Sequence, residues 1–169
     1  MQLGLIADSH DRLPAIAALV AQFQERGVEM VLHAGDFCSP FALAPLHALT
    51  VPVVGVFGRN DGDHPGLSAE ASRGLATELF ESPHSLEVGE RRVLLVHDVG
   101  EMSEHSLAGH DVVIHGSQHR QEMKTRGSTL LVCPGEACGW LYGSPGAAII
   151  DLATYEVEFL KLSGPEWKT

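Results

Sequence analysis

Leu5-Ile6-Ala7-Asp8-Ser9-His10-Asp11 closes the first apolar run of the chain and opens its first polar loop. The apolar run over residues 2–7 reads as a buried strand. Asp8 and His10 appear where that strand should stop. In an open α/β sheet, ligands bind just past the carboxyl ends of strands. A carboxylate oxygen beside an imidazole nitrogen is the beginning of a divalent-metal site. A helix-capping Asp beside a surface His gives the same local pattern, so the reading depends on how later strands end.

Leu13, Ile16, Ala17, Val20 and Phe23 follow at helical spacing, with Pro14 suited to a first turn and Gly27 to a stop. Residues 29–33 read as a second strand, and Asp36 of Ala34-Gly35-Asp36-Phe37 stands past it as Asp8 stands past the first. Ser39-Pro40 signals a short helix to about residue 49. A third strand, residues 52–57, runs into Gly58-Arg59-Asn60-Asp61-Gly62-Asp63-His64. Residues 67–79 read as helical, with Gly74 a weak point. This alternation implies parallel βαβ units.

The second half reads differently. Residues 85–88 and 92–97 form a hairpin around Gly89-Glu90 and end at His97-Asp98. Residues 111–114 form a buried strand before His115-Gly116-Ser117-Gln118-His119. Residues 121–125 and 130–133 make a further hairpin, Pro134-Gly135-Glu136-Ala137-Cys138-Gly139 a loop, and residues 147–152 and 157–162 a closing strand pair. Two sheets packed face to face with helices outside accommodate this many buried strands.

The bulk numbers narrow the function. A chain of 169 residues, 44% hydrophobic, is expected to form one globular domain, 1–169. Its 22 acidic against 11 basic residues give a net charge of −11, which argues against non-specific nucleic-acid and anionic-membrane binding. No apolar run approaches the ~18 residues of a membrane span. Three cysteines, Cys38, Cys133 and Cys138, without a secretory leader, point to reduced thiols and the cytoplasm. Ten histidines are many, and histidines gathered at strand ends often mean metal.

Five strand ends carry potential ligands: Asp8 with His10, Asp36, the Arg59-Asn60-Asp61 loop, His97, and His119. Capping could account for Asp8 and Asp36, and buried hydrogen bonding for His97, but not for the whole series. Carboxylates with several imidazoles suit Mn, Fe, Zn or Ni better than Ca or Mg. Such an ion lowers the pKa of a bound water and polarises a phosphoryl oxygen.

The order Asp8-x-His10, Gly35-Asp36, Gly58-x-Asn60-Asp61, His97 and Gly116-x-x-His119 resembles the calcineurin-like metallophosphoesterases, in particular their small single-domain phosphodiesterase branch, over nearly the whole chain. The 134–139 loop resembles that branch's Pro-Gly-Glu/Ser loop. The resemblance implies a four-layer α/β/β/α sandwich of two mixed sheets flanked by helices. It implies a dimetal centre at one sheet edge and phosphate-ester hydrolysis by a metal-bound water. By the same resemblance Asp8, His10, Asp36 and His119 hold the first ion, Asp36 bridges, and His97 serves the second. A homodimer is compatible with exposed apolar edges and with the family.

Two positions depart from the family. Without a gap, Arg59 falls where a ligand Asn belongs and Ser117 where a ligand His belongs. An arginine offers donors and no lone pair. One reading therefore puts the Arg59 guanidinium in place of the second cation, paired with Asp36 or Asp98, where it could still fork onto a phosphate. Activity would then be reduced or lost, leaving a binding or scaffold protein as the retromer scaffold subunit illustrates. In another, a one-residue shift makes Asn60 the ligand and leaves Arg59 outward. His115 or Asp98 could stand in at Ser117. Cys38 reads as a small packing residue, His64 as a solvent-facing loop residue, and Glu136 as a loop-orienting one. His33, His47, His84, His105 and His110 carry no motif signal. The expectation is a phosphodiesterase or phosphatase with one or two divalent ions and a phosphate-ester substrate. Asp36, Arg59, Asn60 and His97 lie closest to the chemistry.

Overall fold

In a computed structural model, which describes residues 1–74 and 76–167, the strands most continuously apolar in sequence are those at the centres of two sheets. The first sheet has the order β11-β10-β1-β2-β3-β4, with β1 (Gln2–Ile6), β2 (Met30–His33), β3 (Val53–Val56), β4 (Thr77–Phe80), β10 (Gly146–Asp151) and β11 (Val157–Lys161). The second has the order β5-β6-β7-β9-β8, with β5 (His84–Val88), β6 (Arg91–Val96), β7 (Val112–His115), β8 (Gln121–Arg126) and β9 (Thr129–Pro134). β1 to β4 run parallel, as do β6, β7 and β9; β5, β8, β10 and β11 pair antiparallel. Both sheets are therefore mixed.

Side-chain alternation sorts the apolar residues into three layers. Leu3, Leu5, Leu32 and Val56 from one sheet meet Val93, Leu95, Ile114 and Val132 from the other. Ile6 and Val31 point the opposite way, onto Ile16, Leu19 and Phe23 of α1 (Leu13–Glu25). Leu94, Val113 and Leu131 pack outward beneath Leu107 of α3 (Glu104–Ala108). The result is the four-layer α/β/β/α sandwich. Among the described residues, no helix is long and apolar enough to cross a membrane.

Several elements differ from the sequence reading. The helix expected over 67–79 is α2 (His64–Ala71), started by Asp63, whose carboxylate accepts the Gly66 N–H at 2.9 Å. Thr77–Phe80 is instead strand β4, paired with β3 from Val53↔Thr77 to Val56↔Phe80. The exposed edge of β3 supplies a template that outweighs the weak helical pattern of a polar segment. Leu75, inside that reading, lies outside the described residues. The helix expected after Ser39 is 3₁₀ over Pro40–Ala48, because Pro45 withholds an N–H from any α ladder. α3 and the 3₁₀ turn Val99–Glu101 are too short to show a period, and the sequence reading passed over them.

Candidate metal centre

The loops leaving the carboxyl ends of β1 and β2 are bonded to one another. Asp8 N–H donates to the Gly35 carbonyl (3.0 Å), Ser9 and His10 N–H to that of Asp36 (3.0 and 3.1 Å), and Asp11 N–H to that of Phe37 (3.2 Å). The loop after β9 joins them through Ala137 N–H on the Ala7 carbonyl (2.8 Å) and Cys138 N–H on that of Asp8 (3.1 Å). The second sheet is tied in by Ser117 N–H, which donates to Asp8 Oδ1 (3.2 Å), and by the His97 ring, 2.8 Å from the Ala34 carbonyl. Residues more than a hundred positions apart thus share one edge.

The crowding shows in the backbone. Of nine non-glycine residues with positive φ among those described, seven lie in these loops: Asp8, His10, Asp11, Asp36, Cys38, Ser117 and His119. Each such residue stores on the order of 1–3 kcal/mol and persists only where the surroundings over-determine it. Gly58 is required by close approach: a Cβ there would lie against Asp36 Oδ1 and 2.9 Å from His97 Nδ1.

Two groups of ligating atoms adjoin. One oxygen each of Asp8 and Asp36 and a ring nitrogen of His97 lie within 4.8 Å of one another, as do ligating atoms of His10, His119 and Cys138. His10 Nε2 and His97 Nε2 are each 3.5 Å from an Asp36 oxygen, and His119 Nε2 is 3.9 Å from Asp8 Oδ1. The His10 and His119 rings stack at 5.4 Å. Among the described residues, Asp8 Oδ2 and His10 Nε2 are buried with no hydrogen-bond partner. Burying such atoms unpaired is costly. A carboxylate oxygen and an imidazole nitrogen in that state are the donor set a divalent transition ion accepts.

The imidazoles are oriented from behind. The Ala34 carbonyl can only accept, so His97 carries its proton on Nδ1 and keeps the Nε2 lone pair toward Asp36. Glu136 Oε2, 3.0 Å from His119 Nδ1, fixes His119 in the same tautomer. Glu136 is itself buried; its oxygens also accept Leu141 N–H (3.0 Å) and Tyr142 N–H (2.6 Å). Asp61 does comparable work behind Asp36, accepting N–H groups of Asp36 (3.0 Å), Gly58 (2.7 Å) and Cys38 (2.7 Å).

Burial sets the protonation states. It pushes the Asp8 carboxyl up to about 6, against the opposing pull of His119 and His97. It lowers His10, against the attraction of Asp36, leaving a neutral ring with a free lone pair at neutral pH. His33, wholly buried, is lowered to about 3; its ring lies 3.1 Å from Ser9 Oγ and accepts the Gly35 N–H. The thiols of Cys38, Cys133 and Cys138 are all pushed up to about 12, mainly by burial.

Asp8, His10, Asp36, His97 and His119 all reach this edge. Arg59 and Asn60 part company. Arg59 is 60% exposed at the rim and pairs with Asp98 and Glu101. It makes no hydrogen bond to Asp36 among the described residues. Asn60 takes that place: its N–H donates to Asp36 Oδ1 and its side-chain amide to Oδ2, both at 2.8 Å. Ser117 contributes only its backbone N–H. His115 lies on the outward face of β7 with Val113, away from the centre, so it does not stand in for the missing imidazole. Cys38 is no buried packing residue; it is partly exposed, with Sγ 3.2 Å from His10 Nδ1. Cys133 and Cys138 have no CxxC spacing, so the sequence argues against thiolate metal binding, yet the structure brings Cys138 to the His10–His119 pair. The sequence reading passed over the exposed Trp140-Leu141-Tyr142 segment beside them, where Arg12 lies over the Trp140 ring at 4.6 Å.

Residues 1–155 match the family model of the calcineurin-like phosphoesterase superfamily domain. The chain is 31% identical over 155 residues to phosphodiesterase MJ0936 of Methanocaldococcus jannaschii, covering 89% of this chain and 93% of that protein. An archaeal phosphodiesterase structure superposes with a TM-score of 0.89 at 28% identity, over 96% of this chain and 100% of the other. Yfce, a phosphoesterase from E. coli, has the same fold, with a TM-score of 0.69 at 15% identity over 96% and 100% of the two chains.

Proposed function

This chain belongs to the calcineurin-like phosphoesterase superfamily, hydrolases of phosphoric ester bonds, and from that premise we propose that it is a metal-dependent phosphodiesterase working at the Asp8–Asp36 edge. Asp8, His10, Asp36 and His119 would hold a first divalent transition ion. Asp36, His97 and Asn60 would line a second, with Asn60 turning its amide oxygen inward once its hydrogen bond to Asp36 is given up. Bound there, such ions acidify a water and polarise a phosphoryl oxygen. The observation that carries this reading is the pair of buried, unpartnered atoms Asp8 Oδ2 and His10 Nε2.

The chain's own groups do the rest. The Asn60 NH₂, released from Asp36, orients a phosphoryl oxygen, while the His97 ring, with Nδ1–H on the Ala34 carbonyl and Nε2 toward Asp36, serves only as a ligand. Ala34 and Glu136 keep the His97 and His119 protons on Nδ1. Arg59, with its charge shared between Asp98 and Glu101, acts through the loop that carries Asn60.

The test is hydrolysis of bis-p-nitrophenyl phosphate with Mn²⁺, Ni²⁺, Fe²⁺ or Zn²⁺, alongside metal analysis of the loaded protein. Turnover should require metal and vanish in Asp36→Ala and His119→Ala. Turnover that is indifferent to metal, or survives both substitutions, overturns the reading. A scaffold reading draws on Ser117, which brings no imidazole; a metal-loaded protein inert toward every diester would favour it.

A further inference from the structure

Beside His119, at the edge where β8, β9, β10 and β11 come together, lies a cavity of about 350 Å³ that the proposed centre does not use. Small-molecule sites begin at about this size, ~300 Å³. Its lining includes His119, Arg120, Gln121, Tyr142, Ser144 and Lys161. We propose that it receives the arm of a diester that ends in a second anionic group, a phosphate, with Arg120 and Lys161 as the counter-charges. This rests on the phosphoesterase reading, since His119 is the wall shared with the proposed metal centre.

Charge is the first argument. The chain carries −11, so an anionic substrate is repelled at long range. Five of its eleven cations, Arg26, Arg59, Arg73, Lys124 and Arg126, sit in ion pairs, and Arg12 and Arg91 donate to backbone carbonyls. Among the described residues, Arg120 and Lys161 have no carboxylate within ion-pair distance. The Arg120 guanidinium rests over the Tyr142 ring at 4.6 Å, a contact that orients it and uses none of its donors. The acid in the wall, Glu136, has its oxygens engaged by Leu141 and Tyr142 N–H and by His119.

Construction is the second. Gln121 Nε2 donates to the Ala147 (3.1 Å) and Leu160 (2.7 Å) carbonyls and so ties the wall to β10 and β11. Two glycines face it: a Cβ at Gly135 would come within 2.8 Å of Gln121 Cγ, and one at Gly146 within 2.9 Å of Gln121 Nε2. The opposite shoulder gives the contrast. The cavity beside His97, about 190 Å³, is lined by Glu81, Asp98 and Glu101 against one cation, Arg59. An anionic arm is turned away there and accepted on the His119 side.

The experiment measures binding to the metal-loaded protein by calorimetry, with propane-1,3-bisphosphonate and propylphosphonate as probes. Both offer one phosphonate to the metal centre, and only the first offers a second anion. The bisphosphonate should bind about tenfold tighter or more, as expected when a charge-assisted pair is added. That ratio should collapse toward one in Arg120→Glu/Lys161→Glu, and fall part-way in Arg120→Gln and Lys161→Gln taken singly. Equal affinities in the wild type, or a ratio that survives the double substitution, overturn the subsite while leaving the hydrolase standing. If neither probe binds, the phosphoryl site itself fails and the subsite fails with it.

Discussion

On the His119 side of the centre, the groups that would face a cation are braced from behind by a buried partner. On the Arg59 side, the arginine is exposed and held by carboxylates at the surface. His119 leans on Glu136, and Glu136, which is buried, on two backbone N–H groups. Arg59 leans on Asp98 and Glu101 in open solvent, while its neighbour Asn60 holds Asp36 directly. The difference teaches where substitution is cheap. A ligand whose tautomer depends on an interior carboxylate cannot drift without losing its geometry. A rim residue can become arginine as long as the next residue reaches the shared aspartate.

The largest expected effect that sharpens this contrast is Glu136→Gln. With its oxygen kept on the Leu141 and Tyr142 N–H groups, a glutamine turns its NH₂ toward His119 Nδ1–H. Two donors then face each other, and the ring must move its proton to Nε2, where the metal lone pair should be. Metal affinity should fall about 10–100-fold, the usual cost of removing such a partner. Isothermal titration with Mn²⁺ measures it, and ¹⁵N chemical shifts of His119 in the metal-free protein read the tautomer. An unchanged tautomer with unchanged affinity would show that the His119 side is no better braced than the other.

How much of this was legible beforehand follows from burial. β1, β2 and β7 are buried along nearly their whole length, so each reads as an apolar run that must stop at its ligand. Asp8, Asp36 and His119 were visible for that reason. β4 was not, because the pairing of Thr77–Phe80 is dictated by β3 rather than by its own pattern. Glu136 and Cys138 reach the centre through bonds from Ala137 and Cys138 to Ala7 and Asp8, across some 130 positions that no local signal spans. Gap-free spacing points Arg59, not Asn60, at Asp36, and the structure reverses the choice. It is settled by Gly58, whose missing side chain lets the loop close on Asp36 and presents the second residue after it.

A second effect belongs to the acid side of the titration curve. Burial holds the metal-free Asp8 carboxyl near 6, above its ordinary 3.8, so below that point a proton occupies the oxygens a cation needs. His10 is displaced the other way and stays neutral there longer than a free imidazole. Metal affinity should therefore be steady above pH 6 and fall about tenfold for each unit below it, as one proton is displaced per ion. Affinities measured between pH 5 and 8 check this; a fall beginning near pH 4 would place Asp8 in a wetter setting than the structure gives it.

The smallest effect is the one that most directly breaks the comparison. Arg59→Ala removes two ion pairs of a side chain that is 60% exposed, and such pairs contribute little. Melting temperature and the number of bound ions per chain should stay as they are. Asn60→Ala takes the amide from Asp36 and should cost the second ion while sparing the first, because Asp8, His10 and His119 are untouched. Metal counting by mass spectrometry under native conditions separates the two variants. If instead Arg59→Ala raises the ion count, the guanidinium has been standing in for a cation. The two shoulders would then differ in kind, one holding metal and the other a fixed organic charge, and Asn60 would be a spacer rather than a ligand.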